Sequence, residues 1–274
     1  MNPLLKAQKI GFLGAGNMAQ AMIKGLIEGG IPAKNIFASN RSQGKLHKLV
    51  EQYGINAVAG NEELVNSSDI VILAVKPQDL LAALEPISRS FDPNAIVVSI
   101  AAGLEMKTLE KYLPDCRIAR AMPNTPSLIG RGVIGYLLNE DDEAMEATVE
   151  DLFQPLGRVI QVNDEDQFEA LMVSCSSGTG FVFEMMTYWQ DWIEEHGFSD
   201  EEARMMTIET FVGASLLAAQ SREKVEELQA RVTSKKGVTA AGLQSMRELE
   251  IERALRISFE KSAMRNKEMA REIK

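Results

Sequence analysis

Residues 9–22 read KIGFLGAGNMAQAM: a short apolar run meets two glycines one residue apart and passes straight into a helical pattern. Gly14-Ala15-Gly16-Asn17-Met18-Ala19 has the G-x-G-x-x-A form of a dinucleotide-binding turn. Gly14 permits the tight bend, Gly16 lets a pyrophosphate approach the backbone at a helix N-terminus, and Ala19 lets that helix pack closely on a sheet. An ordinary glycine-rich turn satisfies the same pattern. Here, however, it lies between a strand candidate and an amphipathic helix candidate over 17–29, where Met18, Met22 and Leu26 recur four apart beside Ala19, Ile23 and Ile27. That context predicts a dinucleotide on Gly14, Gly16, Asn17, Met18 and Ala19.

Outward from this turn the alternation continues. NIFASN (35–40), DIVILAV (69–75) and NAIVVSI (94–100) are short, rich in β-branched residues and mostly apolar on both faces, as strands of a doubly covered parallel sheet must be. CRIARAMP (116–123), GVIGYLLN (132–139) and RVIQV (158–162) read as later strands of the same sheet, with a helix over 141–153. The expected fold is an α/β Rossmann-type doubly wound domain over 1–162, followed by an all-α domain over 163–274. In the second part FVFEMMTYWQDWI (181–193) and MMTIETFVGASLLAA (205–219) are apolar around most of their circumference. Such helices must be covered on all sides, so a second subunit is expected to supply the cover in a homodimer.

The residue some 20 positions beyond the glycine turn separates NAD from NADP, because an acid there bonds a free ribose 2′-hydroxyl and repels a 2′-phosphate. Between Glu28 and Glu51 no acid occurs. The second strand ends instead in Asn40, Arg41 and Ser42, a guanidinium and polar groups suited to a phosphate. NADPH is the expected cofactor, with NADH the alternative. Two further loops fall at strand C-terminal ends, where the ligand crevice of such a sheet lies. AVKPQ brings Ala74, Val75, Lys76 and Pro77; RAMPNTP brings Met122, Pro123 and Asn124, stiffened by prolines at 123 and 126.

Composition narrows the partners. Among 274 residues the net charge is −10, which argues against nucleic acid and against anionic lipid and favours a small molecule. No apolar run reaches the ~18 residues of a membrane span. MNPLLKAQKIGF lacks the apolar core of a secretory signal, and the two cysteines, Cys116 and Cys175, show neither a disulfide framework nor metal-ligand spacing with the two histidines. A cytoplasmic, metal-free protein is expected. A proton donor of the usual kind is also missing: His47 and His196 read as structural, and no lysine lies between Lys111 and Lys224. The chemistry must ask little of the protein for proton transfer, which disfavours a hydroxyacid dehydrogenase.

Near the end VTSKKGVTAAGL (232–243) sets hydroxyls and Gly237 between two charged helical patterns, a backbone able to turn N–H groups toward an anion. Taken in order, GFLGAGNMA, AVKP, SIAAG, RAMPNTP and this last block resemble the pyrroline-5-carboxylate reductases, which reduce a cyclic imine acid to proline with NAD(P)H. The resemblance implies a Rossmann domain, a helical dimerisation domain and, commonly, rings of dimers. It also implies that the late segment holds the substrate: Ser234, Gly237, Val238 and Thr239 at the carboxylate, with Thr239 on the ring nitrogen as the catalytic contact, and Ser177 and Gly178 as further substrate contacts. An imine nitrogen is basic enough to arrive protonated or to take a proton through solvent, so orientation and hydride delivery can carry the rate.

The chain departs from the family pattern twice. Lys235 and Lys236 replace a proline and a glycine, and Cys175-Ser176-Ser177-Gly178-Thr179-Gly180-Phe181 stands where Ser-Gly-Ser-Gly-Pro-Ala-Tyr is usual. Two alternatives to pyrroline-5-carboxylate reduction accompany these departures: an imine reductase for a different cyclic acid, and a non-catalytic NADP-binding dimer.

Overall fold

The computed structural model describes residues 3–272. They form two compact units, one from residues 3–177 with 262–272, the other from Gly178–Lys261. The first alternates α1 (Pro3–Ala7), β1 (Ile10–Leu13), α2 (Asn17–Glu28), β2 (Ile36–Ser39), α3 (Gln43–Tyr53), β3 (Asn56–Ala57), α4 (Asn61–Asn66) and β4 (Ile70–Leu73). It continues through α5 (Pro77–Leu84), β5 (Ile96–Ser99), α6 (Met106–Tyr112), β6 (Arg117–Met122), β7 (Gly132–Leu138), α7 (Glu143–Phe153), β8 (Gly157–Gln161) and α8 (Glu165–Leu171).

The strands make one eight-stranded sheet in the order β3-β2-β1-β4-β5-β6-β7-β8. β1 pairs in parallel with both β2 and β4, so successive connections leave in opposite directions from β1 and open a crevice above its C-terminal end. Strand side chains alternate between faces. Ile10 and Phe12 of β1 pack with Met22, Ile23 and Leu26 of α2 in one core layer, while Leu13 joins Leu73, Leu80, Leu84 and Leu109 in the other. Each such burial contributes roughly 1.5–3 kcal/mol, and the double cover explains why these strands are apolar on both faces.

One strand runs against the others. β7 is antiparallel to β6, because the connection 123–131 is shorter than the roughly dozen residues that a parallel crossover requires. β8 then returns to lie parallel to β7.

The second unit holds α9 (Gly178–Glu195), α10 (Asp200–Gln220), α11 (Val225–Arg231) and α12 (Val238–Glu248); α13 (Ile251–Glu272) begins there and runs on into the first unit. Ser199 starts α10 with a capping box: its hydroxyl accepts from the N–H of Glu202, whose carboxylate accepts from the N–H of Ser199. Trp189 meets Phe211 edge-on at 5.4 Å, and Phe181 meets Phe259 at the same distance. Only Gly178, Ile193, Ala203 and Thr207 of α9 and α10 are buried, whereas Phe183, Trp192 and Leu217 are more than half exposed. No helix among the described residues is long and apolar enough to cross a membrane.

Asp142 ties the reversed edge together. One carboxylate oxygen accepts from the N–H groups of Ala144 (3.0 Å) and Met145 (2.9 Å) at the start of α7, and the other pairs with Arg117 at the start of β6. The Met145 N–H, and after it Arg117, hold this carboxyl below its ordinary value. A depressed folded-state pKa stabilises above the unfolded value of about 3.9 and is lost as pH falls through the folded one. Asp142→Ala should therefore cost about 1–2 kcal/mol in urea denaturation at pH 7, with the gap to wild type narrowing toward pH 3. An equal gap at both pH values would rule out the charged cap.

Candidate functional site

Three strand ends converge on the crevice, and the convergence is set by backbone contacts. Gly14 has φ +110, and a Cβ there would stand 2.7 Å from the carbonyl oxygen of Ala74, so the turn after β1 admits only glycine. The Gly14 N–H donates to the Ser39 carbonyl (2.9 Å), and the Ala74 N–H donates to the Leu13 carbonyl (2.9 Å). These bonds hold the ends of β1, β2 and β4 level. Gly16 caps α2 without a side-chain acceptor, which leaves first-turn N–H groups of that helix facing the crevice as an anion seat.

The cavity above these ends measures about 1030 Å³ and is lined by Gly14, Gly16, Asn40, Arg41, Ser42, Ala74, Val75 and Lys76. Eight residues predicted for the cofactor are thus brought together. Asn40 closes its own corner: Oδ1 accepts from the Ala15 N–H (3.2 Å) and Nδ2 donates to the Ser42 carbonyl (2.9 Å). Arg41 is 92 % exposed at the mouth, with a guanidinium nitrogen 4.0 Å from Asp79. An ion pair that open to water is worth well under ~1 kcal/mol, so the guanidinium stays available to a ligand anion.

The remaining cofactor candidates do not line this cavity. Asn17 is the exposed first residue of α2, followed by Met18; Ala19 is wholly buried where that helix packs on the sheet. Pro77 occupies the first position of α5. Met122 and Pro123 are buried at the exit of β6, and Asn124 spends both ends of its carboxamide internally. Its Oδ1 accepts from the Val133 N–H (2.9 Å), and its Nδ2 donates to the Cys175 carbonyl (3.1 Å).

Lys45, Asn61 and Asp79 line the cavity without having been singled out by the sequence, while Gln78 closes the AVKPQ loop that was. Asn61 accepts from the buried Ser39 hydroxyl at 2.9 Å. The turn dipeptide Gly60-Asn61 before a helical stretch was the only signal for it. Lys45 lies on the first turn of α3, where a lysine reads as an ordinary solvated charge.

The second group of candidates comprises Ser177, Gly178 and the late segment of the second unit. Residues 172–177 form a π turn ending at Ser177, and Gly178 opens α9. Such single wide turns are frequent at functional sites. In the late segment the Gly237 N–H donates to the Ser234 carbonyl at 3.0 Å, closing a turn in which Lys236 has φ +61. A lysine thus holds a left-handed conformation at the position where the family pattern has a glycine, at a cost of roughly 1–2 kcal/mol. A Cβ on Gly237 would collide with the Ser234 hydroxyl. Gly237 caps α12 with no side-chain acceptor, and exposed Val238 and Thr239 form the first turn of that helix.

Comparison with known proteins agrees with this anatomy. Residues 9–103 match the family described as NADP oxidoreductase, coenzyme F420-dependent, and residues 165–269 match pyrroline-5-carboxylate reductase dimerisation. The pyrroline-5-carboxylate reductase of Pseudomonas aeruginosa is 34% identical over 94% of this chain and 97% of its own length. Pyrroline-5-carboxylate reductase 1 of Bacillus subtilis is 31% identical over 100% of this chain and 93% of its own. Among solved structures, a pyrroline-5-carboxylate reductase from Coxiella burnetii superposes with a TM-score of 0.89 at 31% identity, covering 96% of this chain and 98% of the other. A Plasmodium falciparum pyrroline carboxylate reductase with NADP bound gives 0.87 at 25% identity, covering 97% and 99%. The chain belongs to the pyrroline-5-carboxylate reductase family.

Proposed function

We propose that the protein, as a member of that family, reduces the C=N bond of 1-pyrroline-5-carboxylate with NADPH to give L-proline. The observation that carries this reading is the crevice above β1, with a glycine turn that no side chain can enter and an uncapped helix N-terminus, in a chain that matches pyrroline-5-carboxylate reductases along its whole length. Full-length relatives of one activity favour this over a different cyclic acid or a non-catalytic role. Bound NADPH would supply the hydride.

The residues divide the work by charge. The first-turn N–H groups of α2, reached past Gly14 and Gly16, hold the pyrophosphate. Arg41 and Ser42 take the 2′-phosphate, and Asn40 fixes the loop that presents them. Ala74, Val75, Lys76 and Pro77 flank the cofactor on the β4 side, and Met122, Pro123 and the backbone of Asn124, whose carboxamide is spent on Val133 and Cys175, bound it from the β6 exit. At the late turn, Ser234 and the N–H groups from Gly237 onward hold the substrate carboxylate, and the Thr239 hydroxyl bonds the ring nitrogen. Ser177 and Gly178 add the remaining substrate contacts. Hydride adds to the imine carbon, the C=N π pair moves to nitrogen, and nitrogen keeps the proton it carried in or gains one from water. Thr239 orients that nitrogen; no side chain need titrate near neutral pH.

The same reading includes a second copy of the chain. Residues 165–269 match the dimerisation region of the family, and α9 and α10 carry exposed Phe183, Trp192, Leu216 and Leu217, too much apolar surface for a lone helical unit to show water. A homodimer buries it, and a ring of such dimers is the larger assembly of this reading.

Arg41→Asp should weaken NADPH and spare NADH, read as the ratio of kcat/KM for the two cofactors; an unchanged ratio would remove Arg41 from the 2′-phosphate site. Thr239→Ala should lower turnover about ten- to a hundredfold with NADPH affinity intact, the worth of one hydrogen bond to a charged or charge-developing group. Activity near wild type would take Thr239 out of the reaction. In a sedimentation dilution series, loss of the dimer should coincide with loss of helicity. A monomer of native helicity would overturn the dimer reading.

A further inference from the structure

We propose that Asn124 and Arg120, at the exit of β6, are positioning residues that clamp the helix running from α8 through the π turn, and so set the place of Ser177 and Gly178. The inference rests on the reading of those two residues as substrate contacts. Its two points of attachment are independent.

The first is on the π turn itself. Asn124 is almost wholly buried, and its Nδ2 donates to the Cys175 carbonyl, within the turn. Its Oδ1 is committed to the Val133 N–H on β7. One carboxamide therefore spans β7 and the π turn, and no smaller or singly functional side chain could make both bonds. Gly132 belongs to the same corner, since a Cβ there would stand 3.1 Å from Asn124 Oδ1.

The second point is on the first turn of α8. Arg120 is only 4 % exposed, yet it carries a charge, and Glu165 at the start of α8 answers it with one carboxylate oxygen. The other oxygen of Glu165 accepts from the Met106 N–H at 2.7 Å, at the start of α6. Phe168, one turn on in α8, lies under the guanidinium with its ring centroid 4.2 Å away. Burial pulls the Arg120 pKa below its ordinary value and Glu165 opposes that pull, so removing Glu165 would leave a buried cation without its counter-charge.

α8 is thus held at its first turn by Arg120 and at its continuation by Asn124, both from the loop and strand end that carry RAMPNTP. A wide turn inserted in a helix can shift its phase, and two attachments on the same rigid strand exit fix it. Asn124 then acts on the substrate through the π turn, and its side chain leaves the cofactor alone.

Asn124→Asp separates these roles. It keeps the acceptor for Val133 and replaces the donor facing Cys175 by a carboxylate oxygen. Expected are an unchanged NADPH Kd by fluorescence titration, a fall in kcat/KM for pyrroline-5-carboxylate of about tenfold or more, and amide hydrogen exchange over 172–178 accelerated by a similar factor while β1 and β4 stay protected. Activity should recover partly at low pH, because a protonated carboxyl can donate to the Cys175 carbonyl again. Glu165→Gln, which keeps the acceptor for Met106 and removes the charge, should give the same pattern of lost kcat/KM and faster exchange over 165–178, and it serves where the first variant fails to fold. The clamp is overturned if exchange and kcat/KM are both unchanged, or if NADPH affinity falls in step with activity, which would make Asn124 a cofactor ligand. A wild-type protein with no imine reduction would overturn the functional reading instead, and the exchange measurement would then decide the clamp alone.

Discussion

Between Gly14 and the carbonyl of Ala74 there is no room for a side chain. That contact decides how the end of β1 meets the end of β4, and the bonds from Gly14 to Ser39 and from Ala74 to Leu13 follow from it. A residue with a Cβ at position 14 would face both a close carbonyl and a left-handed backbone, and the turn would have to lift off the sheet. α2 would then no longer start directly above β1, and its unsatisfied N–H groups would no longer face the crevice. The parallel register, the switch in strand order and the cationic mouth all depend on that one approach of backbone to backbone.

The first unit was readable for a physical reason: strands covered on both faces must be short, apolar and β-branched, and little else in a chain looks like IGFL or IVIL. The direction of β7 was not readable in that way, because strand polarity is set by connection length and not by strand composition. β3, with only Asn56 and Ala57, has no pattern of its own, so the helix start at Asn61 passed unnoticed with it. Gly14, Gly16 and the Asn40–Ser42 corner could be named because the fingerprint fixes their place on a strand–turn–helix. Lys45 and Asp79 could not, since each is brought to the cleft by a helix whose start depends on tertiary packing. The partners of Asn124 and Arg120 were out of reach of any local pattern: Cys175 and Glu165 lie 51 and 45 residues away.

The helical unit shows the opposite balance. Its helices were plain from composition, and their excess of apolar surface predicts a covering partner; the exposed Trp192, Phe183 and Leu217 carry that excess into the structure. Backbone conformation was the part composition obscured. A lysine at position 236 gives no sign of a left-handed residue, and the chain holds φ +61 there. Neighbouring constraints explain the angle: Gly237 must lie against Ser234, its N–H must reach the Ser234 carbonyl, and α12 must start at Val238. A turn over-determined in this way can impose a left-handed angle on a residue that would otherwise avoid it.

Net charge and local charge point in opposite directions, and the difference bears on how anions reach this protein. The chain carries −10 overall, which by itself repels phosphates and carboxylates. Around the crevice, however, Arg41, Lys45 and Lys76 outnumber Asp79 among the lining charges, and they stand beside a helix N-terminus. Lys235 and Lys236 do the same for the turn before α12, where the next acid along the helix is Glu248. Exposed charges lose most of their reach beyond a Debye length of about 8 Å at physiological salt, so the distant acids weaken little of this local attraction. The acidic surface repels polyanions in bulk, whereas the crevice above β1 and the two lysines before α12 set local positive charge where the proposed reading puts the phosphate and carboxylate groups of small molecules.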